Sequence, residues 1–176
     1  MDGKVMLARL CARGLQIVDP IRGGKVEISP AEIAAALGYG ALGRAPYYLA
    51  LAKYCDDGLA LLELRHAHLA PLLMRTCLVS ALPDPLLHGL LDLLCAEGLH
   101  APLHGRCQGR GCDGCQGTGV RRQSDRERAR LVGVAKTTYQ RRWRHGVDRA
   151  LCTMEAWDQA ALGHLYHQFA RTSEPA

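Results

Sequence analysis

Aromatic side chains are scarce in this 176-residue chain, at 5%, and phenylalanine occurs once. Sheets draw on aromatic and β-branched residues, and no sustained run alternates apolar with polar residues. Leucine and alanine dominate instead, which favours helix over sheet. Long apolar runs are lacking too. Spanning a bilayer takes roughly 18 to 20 apolar residues, and the nearest approach, Leu59–Leu64, runs into Arg65, His66 and His68. No membrane association is expected. Nor is a signal peptide, because the opening MDGKVMLARLCARG scatters charge through its apolar residues. The parts of an active site are also missing. No nucleophile pairs with a base, and the glycines of DPIRGGK lack the GKS or GKT that a phosphate loop carries after a strand. The expectation is a protein that is not an enzyme. At 48% hydrophobic residues, the chain can still bury a core rather than remain disordered.

Eight cysteines are present. Without a signal peptide they read as thiols of a reducing cytosol rather than a disulfide scaffold. Cys11, Cys55, Cys77 and Cys95 lie in helix-like apolar surroundings, where free cysteine acts as a small core hydrophobe. The others include a repeat. His104–Gly119 reads HGRCQGRG, then CDGCQGTG, one eight-residue unit written twice. The units offer His104 and Cys107, then Cys112 and Cys115, and zinc takes such thiolate and imidazole ligands tetrahedrally. The flanking glycines tolerate the tight backbone turns this needs. His104 takes the repeat position of Cys112; His100, Cys95, His145 or Cys152 could replace it if the fold brought them near. Four protein ligands leave no open position, so the Zn2+ expected here is structural rather than catalytic. A glycine linker with incidental cysteines is the plain alternative. A redox dithiol at Cys112 and Cys115 lacks a thioredoxin-like setting.

The net charge of +5 is unevenly spread. From His104 to Arg149 there are twelve Lys or Arg against four Asp or Glu, while the rest of the chain is mildly acidic. A basic segment on an acidic body points to a localised anionic partner. Within it, Ser124-Asp125-Arg126-Glu127 forms a capping box. Ala129, Gly133 and Tyr139 then have the spacing of a helix-turn-helix. The first helix is expected over about Asp125–Val132, with Leu131 and Val132 inward, and the second from Ala135 to about His145, with Tyr139 and Trp143 in the core. Lys136, Thr137, Gln140, Arg141 and Arg144 then face double-stranded DNA. Arginine and glutamine suit base edges, and lysine and threonine suit phosphates. Arg121, Arg122, Arg126, Arg128 and Arg130 are assigned to backbone phosphates. The alternative is a basic amphipathic helix packed on protein.

The remaining pattern is helical. Ser29 caps a helix ending at Gly38 or Gly40. Others are expected over Lys4–Cys11, Pro46–Tyr54, Asp57 to about Ala70, Pro71–Ser80 and Leu86–Glu97, with a break or kink at Pro71 and a turn at Asp19–Lys25. Leu151, Met154, Trp157, Ala161, Leu165 and Phe169 form one face of a last helix over Asp148–Ala170. His66 and His68 diverge on a helix and are read as solvated, while Tyr47 and Tyr48 are read as core. The expected fold is all-α apart from local turns, or a small hairpin, at the zinc: a helical-bundle body over 1–98, a small inserted zinc-binding loop over 99–120, and a helix-turn-helix-like C-terminal part over 121–176.

With CDGCQGTG at Cys112–Gly119, then RARLVGVAKTTYQRRW and a tryptophan-containing last helix, the chain resembles the late-gene antitermination (Q) proteins of lambdoid phages. The resemblance runs from His104 to about Ala170; the N-terminal helices match in helical character and length. Some members carry two full C-x-x-C-x-G-x-G units separated by a loop; here the units abut and His104 replaces one cysteine. DnaJ-type chaperones repeat the unit four times, but this chain has two units and no HPD signature. The resemblance implies a transcription antitermination factor in the bacterial host cytoplasm. It would bind DNA near a late promoter, engage RNA polymerase and its sigma factor at a promoter-proximal pause, and make the enzyme ignore terminators. The rival readings are a zinc-containing repressor or activator and a zinc-dependent protein-interaction adaptor.

Overall fold

The structure is a computed structural model that describes residues 15–18, 25–100 and 122–172. The helix expected over Lys4–Cys11 and the Cys-rich repeat lie outside these residues. What is described is mostly helical, with one addition. Strands β1 (Leu15–Val18) and β2 (Lys25–Ile28) pair antiparallel, Leu15 opposite Ile28 and Val18 opposite Lys25. Four residues are too few for alternation to stand out in a sequence, but LQIV and KVEI are rich in the β-branched residues that strands favour.

Helix α1 (Pro30–Gly38) begins as expected. The Ser29 side chain accepts from the Glu32 N–H at 3.3 Å, and Glu32 Oε2 accepts from the Ser29 N–H at 2.7 Å. Helix α2 (Arg44–Tyr54) follows, then α3 (Gly58–Glu63), capped by Asp57. Of the break or kink expected at Pro71, the chain shows no break. A π-helical segment, Leu64–Leu69, leads without interruption into α4 (Ala70–Thr76), and the Ala70 N–H donates to the Arg65 carbonyl five residues back. Pro71 has no N–H to offer and its ring crowds the preceding turn, which this wider turn accommodates. Helix α5 (Asp84–Gly98) carries Pro85 in its first turn, where a missing N–H costs nothing.

Past the Cys-rich segment come α6 (Asp125–Val132), a turn at Gly133, α7 (Lys136–Thr138), a second π-helical segment (Tyr139–Trp143) and α8 (Arg144–Thr172). The second helix of the basic region was expected to end near His145. Instead it continues unbroken into the last helix. Gly146 is retained inside it because α8 crosses the end of α4 there: an added Cβ would sit 3.0 Å from the Cys77 Cα. The 29 residues of α8 span about 43 Å at 1.5 Å each and form the spine of the molecule.

Two buried clusters line this spine. The larger holds Leu64, Leu69 and Leu73 with Leu90, Leu91 and Leu94 of α5, and with Ala129, Tyr139, Trp143, Val147 and Met154. Residues before and after the Cys-rich segment therefore share one core. The smaller joins Ile28, Ile33 and Leu37 to Ala50, Ala161 and Leu165. Of the expected apolar face of the last helix, Leu151, Met154, Ala161 and Leu165 are buried, and Trp157 and Phe169 pack against the clusters half-buried. Asp158 clasps α8 to α2, accepting from Lys53 Nζ and Tyr54 Oη at 2.7 Å each. Tyr47 and Tyr48 are half-buried against the core, edge to face at 5.4 Å. His68 is half-buried beside the Tyr48 ring rather than solvated; His66 is exposed.

Candidate nucleic-acid interface

The basic region is built on local signals. Ser124 and Glu127 complete the capping box: Glu127 Oε2 accepts from the Ser124 N–H at 2.8 Å, and Ser124 Oγ accepts from the Glu127 N–H at 3.4 Å. The helix stops at Gly133, whose φ of 76° lies in the left-handed region that glycine adopts without a Cβ penalty. The Val134 N–H then reaches back to the Ala129 carbonyl at 3.0 Å, and a new helix opens from Ala135. Beneath the turn, Ala129, Val132, Tyr139 and Trp143 are buried, which fixes the two helices against each other and against α5. Leu131, expected inward, is 44% exposed, because the inward stripe of α6 is Arg128, Ala129 and Val132.

Arg128 is the main correction. Assigned to phosphates from its sequence, it is 4% exposed and faces the protein. Its Nε and Nη2 donate to the two carboxylate oxygens of Glu97 at 2.7 and 2.6 Å, and its Nη1 to Asp148 Oδ1 at 2.7 Å. One guanidinium thus joins α5, α6 and α8. Burial would lower its pKa, but the hydrogen bonds and charge of Glu97, aided by Asp148, outweigh this and raise it, so it stays cationic. The neighbouring Tyr139 is fully buried, and its hydroxyl lies beside the Arg128 guanidinium without a well-aligned hydrogen bond among the described residues. Burial pushes its pKa up to about 12, against the pull of the Arg128 charge.

The other assigned residues fall into two groups. Arg126, Lys136, Thr137 and Arg141 are exposed, as is Arg130, and the four cations among these five make no ion pair among the described residues. Arg122, Gln140 and Arg144 are engaged. Arg122 meets Glu155 at 3.0 Å in an exposed pair. Gln140 Nε2 donates to Asp125 Oδ2 at 2.8 Å, and Arg144 Nη1 reaches the same oxygen at 3.3 Å. Arg144 Nε also lies 3.8 Å from Asp148. Arg121 lies outside the described residues. Sequence reasoning passed over Arg142, exposed with its guanidinium 5.6 Å from the Trp143 ring; its place beside a core tryptophan was the available signal.

His104, Cys107, Cys112 and Cys115 lie outside the described residues. Among those described, no three His, Cys, Asp or Glu side chains gather as a metal site, so the alternative fourth ligands do not form one among themselves. Cys95 is buried with Arg65 Nη1 at 3.9 Å, and burial pushes its thiol pKa up. His164 is engaged by the Ala36 carbonyl at 3.2 Å. No helix of the described residues is long and apolar enough to cross a membrane. In comparisons with known proteins, the chain matches no family model, no curated protein and no solved structure.

Proposed function

We propose that the chain binds double-stranded DNA through its basic helix-turn-helix and acts as a phage transcription antiterminator. One observation carries the DNA-binding part. Arg126, Arg130, Lys136 and Arg141 stand exposed and without ion pairs among the described residues, on two helices joined by a tight turn and held by a buried guanidinium. Unpaired cations on a rigid frame suit a polyanion, because they need break no existing bond to reach phosphates. Lys136 and Thr137 open the second helix, placed to hold phosphates, and Arg141 follows in the π-helical segment, placed to meet a base edge. Antitermination, with RNA polymerase and its sigma factor as partners, rests on the motif resemblance from His104 to Ala170.

A Zn2+ ion belongs to the same proposal. One imidazole and three thiolates, from His104, Cys107, Cys112 and Cys115, are a donor set that suits structural zinc. Bound there, the ion would supply folding energy to a glycine-rich segment with few apolar residues of its own. This chain's own residues do the rest. The apolar stripe of α6 seats the turn, Arg128 locks it to α5 and α8, and the exposed cations meet the duplex.

Two measurements test the reading. Affinity for duplex DNA should fall steeply with salt, with a log–log slope of about −3.6 if four phosphates are neutralised. A flat salt response removes DNA binding and favours the protein-adaptor reading. In transcription from a phage late-promoter template, adding the protein should increase readthrough of a downstream terminator. Unchanged readthrough with DNA binding intact leaves an ordinary repressor or activator.

A further inference from the structure

Two of the side chains assigned to DNA are already held by the protein. Gln140 and Arg144 lie four apart on one helix, and both donate to a single oxygen, Asp125 Oδ2, at 2.8 and 3.3 Å. Asp125 opens α6, across the turn from them, and its side chain is 20% exposed while that of Arg144 is 50% exposed. The nearby carboxylate, Asp148, faces Arg144 Nε at 3.8 Å but gives its short contact, 2.7 Å, to Arg128. Arg144 is therefore partly neutralised from within, whereas Arg126, Arg130, Lys136 and Arg141 make no ion pair among the described residues.

We propose that Asp125 is a specificity-determining residue, an internal stand-in for DNA that keeps Gln140 and Arg144 out of indiscriminate contacts. This rests on the DNA-binding reading above. A phosphate that draws Arg144 away must replace a carboxylate bond already made. It also leaves the Asp125 charge bare beside a polyanion. A random duplex gains little from that exchange. A site presenting a base edge that matches both the glutamine amide and the guanidinium regains two directed hydrogen bonds and offsets the loss. Non-specific association then uses the unpaired cations alone, which widens the gap between right and wrong sequences.

The test uses the full chain and a random-sequence duplex, with affinity measured across a salt series. Asp125→Asn keeps the side-chain shape and leaves the Ser124–Glu127 capping box untouched. It should tighten random-duplex binding roughly tenfold at low salt and steepen the log–log slope by about 0.9, the equivalent of one more phosphate contact. Asp125→Ala should do the same. Adding Arg144→Gln to either variant should cancel the gain. Unchanged or weaker binding by both Asp125 variants, with the unaltered protein binding normally, overturns the proposal and leaves DNA binding standing. No salt-sensitive binding by the unaltered protein or the variants overturns DNA binding, and this proposal with it.

Discussion

Replacing Arg128 with methionine tests the central feature of the fold. The substitution keeps a long apolar stem but removes three charge-assisted hydrogen bonds, two to Glu97 and one to Asp148. The Glu97 side chain is 5% exposed and would be left as a buried carboxylate without its cation. Breaking a buried pair from one side costs about 3–5 kcal/mol. The Asp148 side chain is 38% exposed and can turn to water, so its share is below about 1 kcal/mol. For a chain of this size each kcal/mol shifts the melting temperature by about 2–4 °C, so Arg128→Met should lower it by roughly 10 °C. Removing both charges with Arg128→Met and Glu97→Leu should recover most of the loss, because no buried charge is then stranded. Thermal unfolding measures the drop in melting temperature, and denaturant unfolding the free-energy loss and its recovery. A single-variant cost under about 1 kcal/mol, or a double variant no better than the single, would refute the argument. A phosphate-facing arginine at this position would behave oppositely, lowering DNA affinity while leaving stability intact.

Arg141→Ala should weaken duplex binding by about 1–3 kcal/mol if it reads a base; unchanged affinity would move this arginine to a protein-facing role. Cys112→Ser or Cys115→Ser should lose bound zinc, and one full metal equivalent retained in either variant would contradict the ligand set. The Tyr139 phenol has a pKa of about 12 in the fold against an ordinary value of about 10. Its raised value means the stability it confers is complete below about pH 10 and is lost as pH rises through about 12. Tyr139→Phe should remove that alkaline loss and change neutral-pH stability by less than about 1 kcal/mol, since the hydroxyl makes no well-aligned hydrogen bond among the described residues; an alkaline unfolding profile identical to the parent's would show the assignment to be wrong. At Gly89 an added Cβ would lie 3.0 Å from the Val132 Cα and carbonyl oxygen, so Gly89→Ala should push α5 from α6 and cost about 1–3 kcal/mol, measured by thermal unfolding.

The capping boxes at Ser29 and Ser124, the left-handed stop at Gly133 and the inward Tyr139–Trp143 pair were all legible in the sequence. Each is a relation among residues a few positions apart, where helical periodicity and side-chain chemistry suffice. The hairpin was not, because two four-residue strands leave too short a pattern and their stability depends on pairing across a turn. Leu131 was misjudged because helical phase within an eight-residue helix is set by what the helix packs against.

The basic surface divides along the same line. That residues Arg121 to Arg149 are rich in positive charge is a matter of composition, and so is the set of zinc-type donors in the repeat. Which arginines remain free was decided by partners far along the chain: Glu97 lies 31 residues from Arg128, and Asp125 lies 19 from Arg144. An arginine carries the same charge in any sequence. Whether it meets a carboxylate inside the molecule or a phosphate outside it depends on where the assembled helices bring those carboxylates.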